Sequence, residues 1–298
     1  MLSIVYMGTP DFAVEPLKQL IEAGFYVKAV VTVPDKPAGR GQKLQQSAVK
    51  QFAIQNNLPV LQPTRLRDEE FLNELKTINA DLFVVVAFRM LPELVWAMPP
   101  KGTINLHASL LPQYRGAAPI NWAIINGEQS TGVTTFMISH EIDTGSILLQ
   151  KEVAIKADET AGELHDDLMN VGAKLMVDTV KLLSEDKIKL VPQHEHIDLK
   201  PAPKLFKEDC RINWNDDVHR VYNLIRGVSP YPAAWSEIVS EKESIGVKIF
   251  KSRIEVEYHN YNAGKIISDG KTYLKVACAN GFIFIDELQL SGKKRLYV

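Results

Sequence analysis

Asn105 and His107 stand two residues apart in the segment NLHASLLPQYRGAAP, and a carboxylate follows at Asp143 within HEIDTGSILL. If Asn105 and His107 end a strand, alternation sends both side chains to one face. There an asparagine amide can donate hydrogen bonds to a developing oxyanion, and an imidazole can donate one or move a proton near neutral pH. Taken alone, the pair fits a strand-ending asparagine and a hydrogen-bonded core histidine better than a catalytic site. Asp143 by itself reads as a β-turn residue, with Gly145 allowing a sharp turn; beside His107 it would orient the imidazole and accept a proton. Between them, residues 109–116 (SLLPQYRG) form an apolar pair held by Pro112 and ended by Gly116. Such a loop is pinned either against a ligand or against the core.

A second constellation lies upstream. The stretch PDKPAGRGQKLQQS carries Lys36, Arg40 and Lys43 among prolines and glycines, opposed only by Asp35. A solvated surface loop is the ordinary reading, whereas a flexible basic finger beside an active site suits a phosphate-bearing or nucleic-acid substrate. Trp122, Trp214 and Trp235 read as core residues more readily than as stacking platforms. Gly8 follows the first strand as a phosphate-binding glycine would, but GTPDFA lacks the G-x-G-x-x-G spacing, which disfavours a nicotinamide enzyme. His194, Glu195 and His196 place two imidazoles in alternation without a third ligand nearby, so no metal is expected there.

Positioning these residues requires strand ends. The first half of the chain alternates β-branched runs with amphipathic stretches at residues 3–7, 11–23 closed by Gly24, and 27–33. This β-α-β order continues through apolar strands at 82–87 and 103–106, each followed by a helix-like segment with a proline near its start, Pro92 and Pro119. Runs apolar on both faces suit buried parallel strands. The fold expected is α/β, a Rossmann-like doubly wound sheet with right-handed crossovers and ligands beyond the carboxyl ends of its strands. Two further strands, 131–139 and 146–155, flank the polar loop 140–145. A long helix follows, with Thr160 and Glu163 in a capping-box pattern and Leu164, Leu168, Val171, Leu175 and Leu182 on one face. Residues 185–207 hold three prolines, many charges and little periodicity, as an exposed linker does. A short helix near 216–226 then precedes strands at 234–239, 247–258, 263–268, 273–277 and 282–290, which suit a small closed or partly open β-barrel such as the OB-fold. The division expected is residues 1–186 as the α/β domain, 187–206 as linker and 207–298 as the barrel.

The chain has 298 residues, near twice the size of an ordinary domain, and a formal net charge of -2. That charge excludes a strongly basic whole-protein footprint, so a nucleic acid would have to meet a local patch. Two cysteines, Cys210 and Cys278, are too few for a disulfide framework, which points to a reducing compartment. No signal or transit pattern precedes the first strand and no apolar run is long enough to span a bilayer. A cytoplasmic protein without a membrane partner is expected.

GTPDFA, PDKPAGRG, NLHASLLPQYRGAAPI and IDTGSILL follow one another at spacings that resemble the bacterial methionyl-tRNA formyltransferases, over nearly the whole chain. N-x-H, SLLP and the downstream D-x-G are shared by the wider folate-dependent formyltransferase superfamily and imply the chemistry; the basic loop implies the substrate. The resemblance implies transfer of a formyl group from 10-formyltetrahydrofolate to the α-amino group of methionyl initiator tRNA, for translation initiation. It assigns catalysis to Asn105, His107 and Asp143, with no metal. Ser109, Leu110, Leu111 and Pro112 match the folate-contacting motif, and Phe88 lies where the pterin is expected. Arg40, with Lys36 and Lys43, matches a loop reaching the tRNA acceptor stem, and the barrel, through Lys248, Lys251 and Arg253, would add to tRNA binding. A monomer is expected. Two departures stand out. Phe88, Arg89 and Met90 replace a Tyr-Gly-Leu-Ile-like run, and the chain ends at GKKRLYV where relatives continue into a helix. Among other readings, a formyltransferase acting on an amino-sugar nucleotide or glycinamide ribonucleotide would use the same trio but not need the basic finger. A non-catalytic RNA-binding protein would have no use for the trio, and a Rossmann oxidoreductase lacks its glycines.

Overall fold

The structure, a computed structural model, describes residues 2–38, 43–194, 198–240 and 243–298. The chain divides into two compact units: Met1–Arg115, Gly132–Val153 and Asp166–Lys200 form the first, and Gly116–Thr131, Ala154–His165 and Pro201–Val298 the second. In chain order the first half contains β1 (Ser3–Gly8), α1 (Val14–Glu22), β2 (Tyr26–Val31), β3 (Lys36–Ala38), β4 (Lys43–Gln45), α2 (Ala48–Gln55), β5 (Val60–Leu61), α3 (Glu69–Ile78), β6 (Leu82–Val86), α4 (Glu93–Trp96), β7 (Thr103–His107) and α5 (Pro119–Ile125). There follow β8 (Ser130–Met137), β9 (Ile147–Ala154), α6 (Ala161–Ser184), α7 (Val218–Gly227), β10 (Ala234–Val239), β11 (Ser244–Val256), β12 (Ile266–Ser268), β13 (Leu274–Ala277), β14 (Gly281–Leu290) and β15 (Leu296–Tyr297).

The first unit is built on a sheet of order β5-β2-β1-β6-β7-β8-β9. Its first five strands run parallel, and β8 returns antiparallel to β7. Every residue of β1 and β6 is buried, which is why SIVYMG and LFVVV carry apolar side chains on both faces. On one face Val5, Met7, Phe83 and Val85 pack with Phe71 and Leu75 of α3. Asn79, left-handed at φ 47°, ends α3 and its N–H bonds the Leu75 carbonyl. The strand order reverses between β1 and β6, the position where an open α/β sheet leaves a crevice at its carboxyl edge. Gly8 closes β1 for a packing reason rather than a phosphate: a Cβ there would come within 2.7 Å of the Ala13 Cβ and 3.1 Å of the Val86 carbonyl oxygen.

Two segments expected as irregular are tied down. Lys36 pairs with Gln45 and Ala38 with Lys43, so the two described ends of the basic loop form a hairpin stem, and residues 39–42 lie outside the described residues. Within residues 185–207, Val191 exchanges backbone hydrogen bonds with Ile147, and the Lys200 carbonyl accepts from the Tyr114 N–H. Backbone pairing of this kind leaves no hydrophobic period to read. The helix after β6 is a single turn, with Pro92 as its N-cap.

In the second unit, the Ala202 carbonyl accepts from the N–H groups of Ala117 and Ala118. The capping box forms as its spacing required: Glu163 accepts from the Thr160 N–H at 2.9 Å and hydroxyl at 2.8 Å, and these bonds hold its carboxyl below the usual range. The antiparallel sheet β10-β11-β14-β13-β12, with β15 on β14, curls around a core shared with α7. Register shifts near Lys251 in β11 allow the coiling. Asp217 caps α7, accepting from the His219 N–H, so this helix begins slightly later than its periodicity indicated. Trp214 and Trp235 pack partly buried against this core.

Gly145, in the loop between β8 and β9, is tightly enclosed: a Cβ there would lie 1.6 Å from the Met137 carbonyl oxygen. The demand is close backbone approach, and the left-handed residue of the turn is Asp143, at φ 56°. Gly145→Ala is expected to destabilise the protein by about 1–3 kcal/mol through overpacking. Thermal unfolding checks this, and an unchanged midpoint would contradict the packing argument.

Candidate active site

Gly8, Val86 and Leu106 lie in register across β1, β6 and β7, so the chain leaves three neighbouring strands at one edge. Beyond that edge come Phe88 and the segment from His107 to Arg115. Asn105 and His107, two apart on β7, share a face as the alternation required. Asn105 is half-buried and His107 buried, with its ring edge-on to Phe136 at a centroid distance of 6.5 Å.

The His107 imidazole has a neighbour at each nitrogen. Nε2 lies 2.8 Å from the Tyr114 carbonyl oxygen, and Nδ1 lies 3.8 Å from Asp143 Oδ2. A carbonyl only accepts, so Nε2 must carry the hydrogen, and Nδ1 is the atom left for proton exchange. The Asp143 distance is that of an ion pair and exceeds a direct hydrogen bond. Side-chain exposures of 8% and 12% keep both groups largely out of water. The structure thus brings His107 and Asp143 together as expected, but the backbone at Tyr114, not the carboxylate, sets the ring's tautomer. Tyr114 adopts φ 59° to present that carbonyl.

The SLLP motif forms a locked turn. The Thr134 hydroxyl donates to the Ser109 carbonyl at 2.6 Å and accepts from the Leu111 N–H at 3.2 Å and the Gln150 amide at 3.0 Å. Ser109 Oγ donates to the Gln113 carbonyl at 2.6 Å. Ser109 is 0% and Leu111 3% exposed, so these two hold the turn from within, whereas Leu110 and Pro112 remain partly exposed. Phe88, also partly buried, packs on the sheet core, and the Arg89 guanidinium lies 5.5 Å from its ring centroid. Arg89 donates to the Thr64 carbonyl at 3.0 Å and also to that of Pro63, and burial pushes its guanidinium pKa down. Beside it is an open cleft of about 370 Å³ lined by Arg65, Arg67, Arg89, Met90 and Pro92.

In the basic stretch, Lys36 is exposed on the hairpin stem and Lys43 pairs through its backbone with Ala38; Arg40 lies outside the described residues. Asp35 does not oppose these charges. Its carboxylate accepts from Lys50 at 2.7 Å and Gln62 at 2.8 Å, which lower its pKa and anchor the base of the hairpin. In the second unit Lys248 donates to the Pro232 carbonyl, and Arg253 is committed to Asp286 through three contacts of 2.9–3.1 Å. Glu195 and His196 lie outside the described residues, and among the described residues no group of three His, Cys, Asp or Glu could hold a metal ion.

Sequence reasoning missed the residues that hold the pair in place. Gln193 bonds the carbonyls of Asp143 and Gly145 and is itself bonded by Arg115, and Thr134 and Gln150 secure the turn. Arg115 was visible in QYRG, but nothing in the aperiodic stretch around Gln193 marks it.

Both halves of the chain match known protein families. Residues 2–180 match the family described as formyl transferase, and residues 204–298 match the formyl transferase C-terminal domain. A methionyl-tRNA formyltransferase of Bacteroides fragilis is 56% identical over 99% of this chain and 92% of its own length. One from Flavobacterium johnsoniae is 54% identical over 100% of this chain and 94% of its own length. Among solved structures, the N-formyltransferase of Helicobacter canadensis, in complex with folinic acid and dTDP-3-aminofucose, superposes with a TM-score of 0.70 at 22% identity. It covers 99% of this chain and 100% of its own, a likeness of fold. With both family domains matched in order along the chain, this protein belongs to the formyl transferase family.

Proposed function

We propose that this protein is a methionyl-tRNA formyltransferase, moving the formyl group of 10-formyltetrahydrofolate to the α-amino group of methionyl initiator tRNA. The observation that carries the chemistry is the His107 imidazole, fixed at Nε2 by the Tyr114 carbonyl and faced at Nδ1 by Asp143. Kinship over the whole chain with methionyl-tRNA formyltransferases carries the substrate.

An α-amine has a pKa near 8, so a useful fraction is already an uncharged nucleophile at neutral pH and no covalent enzyme intermediate is required. Attack forms the new N–C bond and places negative charge on the formyl oxygen. Asn105 donates to that oxyanion through its amide, and His107 does so from Nδ1 when the imidazole is protonated. Asp143 keeps that protonated ring in place and takes the proton released by the attacking amine, directly or through water. Collapse breaks the bond from the formyl carbon to the folate nitrogen, which recovers a proton as it leaves. Oriented, desolvated groups are all this route asks of the protein.

Leu110, Pro112 and Phe88 are assigned to the folate, with Ser109 and Leu111 shaping the turn from within. Arg40, Lys36 and Lys43 are assigned to the tRNA, as are Lys248 and Lys251 of the C-terminal domain. Arg253, already paired with Asp286, has less charge to offer a phosphate. The reading makes the protein a cytoplasmic enzyme acting as a monomer, in keeping with an aminoacyl-tRNA substrate.

Incubation with 10-formyltetrahydrofolate and, separately, methionyl initiator tRNA, glycinamide ribonucleotide and an amino-sugar nucleotide should give turnover with the tRNA. Turnover with a small substrate alone would overturn the substrate assignment. His107→Ala and Asp143→Ala should each lower kcat by about 10²–10⁴-fold, the range of general acid–base catalysis, with tRNA affinity little changed. Near-wild-type turnover in either variant would remove that residue from the mechanism. Arg40→Leu should raise the KM for tRNA and leave folate binding intact; weakened folate binding would place that residue elsewhere.

A further inference from the structure

Gln193 lies in a segment with no periodicity, yet its side chain joins the two loops that hold the reacting pair. Its Oε1 accepts from Arg115 Nε at 3.1 Å and Nη2 at 2.6 Å. Its Nε2 donates to the carbonyls of Asp143 and Gly145, both at 2.8 Å. The amide orientation follows from the partners, because a guanidinium only donates and a carbonyl only accepts. The two donors and two acceptor sites of one half-buried side chain are therefore all spent on these four contacts.

The two loops matter for different atoms of the same site. The Tyr114 carbonyl, one residue before Arg115, holds His107 Nε2. Asp143 carries the carboxylate that faces His107 Nδ1, and it does so from a left-handed conformation that a non-glycine residue keeps only when its surroundings impose it. The two hydrogen bonds from Gln193 straddle the chain at Asp143 and Gly145 and supply that constraint. Through Arg115 the same side chain ties the Asp143 loop to the backbone that orients the imidazole.

We infer that Gln193 is a positioning residue for formyl transfer, which with Arg115 sets the separation of Asp143 from His107 and touches neither substrate. The inference rests on the functional reading above. The alternative is a staple that merely fastens residues 187–200 to Arg115, and the two differ in what a glutamate at 193 would do. Gln193→Glu keeps an acceptor for Arg115 and strengthens it with charge. It also removes both donors from the carbonyls of Asp143 and Gly145 and turns a carboxylate oxygen toward them.

The test is steady-state formylation of methionyl-tRNA by wild type, Gln193→Leu, Gln193→Glu, Asp143→Ala and the Gln193→Glu/Asp143→Ala double variant, with thermal midpoints recorded for each. Gln193→Glu and Gln193→Leu should both lower kcat by about 10- to 100-fold, the scale of a small misplacement of a catalytic group, with the KM values for both substrates changed little. In the Asp143→Ala background, Gln193→Glu should cause no further loss, because residues acting as one unit are not additive. Wild-type kcat in Gln193→Glu, or the same fold loss with and without Asp143, would overturn the inference. A wild-type enzyme that forms no product with the tRNA would overturn the functional reading instead. The crystal structure of Gln193→Glu then decides the positioning role: a displaced Asp143–Gly145 backbone supports it, and an unchanged one refutes it.

Discussion

The hydrogen bond between the Tyr114 carbonyl and His107 Nε2 is the constraint on which the candidate site depends. It assigns the ring hydrogen to Nε2 and leaves Nδ1, the nitrogen facing Asp143, as the one that can gain or lose a proton. A histidine oriented only by a neighbouring carboxylate would present the opposite tautomer. The sheet does its share by ending β7 at His107, beside the ends of β1 and β6, but strand geometry alone does not choose between the two nitrogens.

Holding that carbonyl in place takes a polar network with few loose ends. Thr134 is fully buried, and its hydroxyl makes one donated and two accepted hydrogen bonds, the full capacity of the group. Those bonds fix Ser109 and Leu111, and the Ser109 hydroxyl in turn fixes the Gln113 carbonyl, one residue from Tyr114. On its other side Tyr114 donates its N–H to the Lys200 carbonyl at 2.7 Å. Buried polar networks rigidify a site when every member is satisfied and are costly when one is not. The left-handed backbone at Tyr114 and Asp143 is tolerated because these contacts over-determine it.

Much of this was legible in the sequence, and the limits have physical causes. The buried parallel strands announced themselves because burial on both faces demands continuous apolar runs, as in β1 and β6. The capping box at Thr160 and Glu163 was readable because its chemistry is local. Asn105, His107 and Asp143 could be named from their types and their resemblance to known motifs, and alternation set the first two on one face, but the separation of Asp143 from His107 could not be read. The Tyr114 carbonyl is backbone and leaves no trace in residue identity. Gln193 works through partners 78 and 50 residues away, which no periodicity encodes. Gly145 reads as a turn glycine, whereas its constraint is the Met137 carbonyl pressed against it.

The claim that Tyr114 sets the state of His107 is tested most directly by nitrogen-15 NMR of the imidazole ring in the wild-type protein, followed through a pH titration. Nε2 should remain protonated throughout, with Nδ1 the nitrogen whose signal changes if the ring gains a proton. A neutral ring carrying its hydrogen on Nδ1, with Nε2 unprotonated, would contradict it.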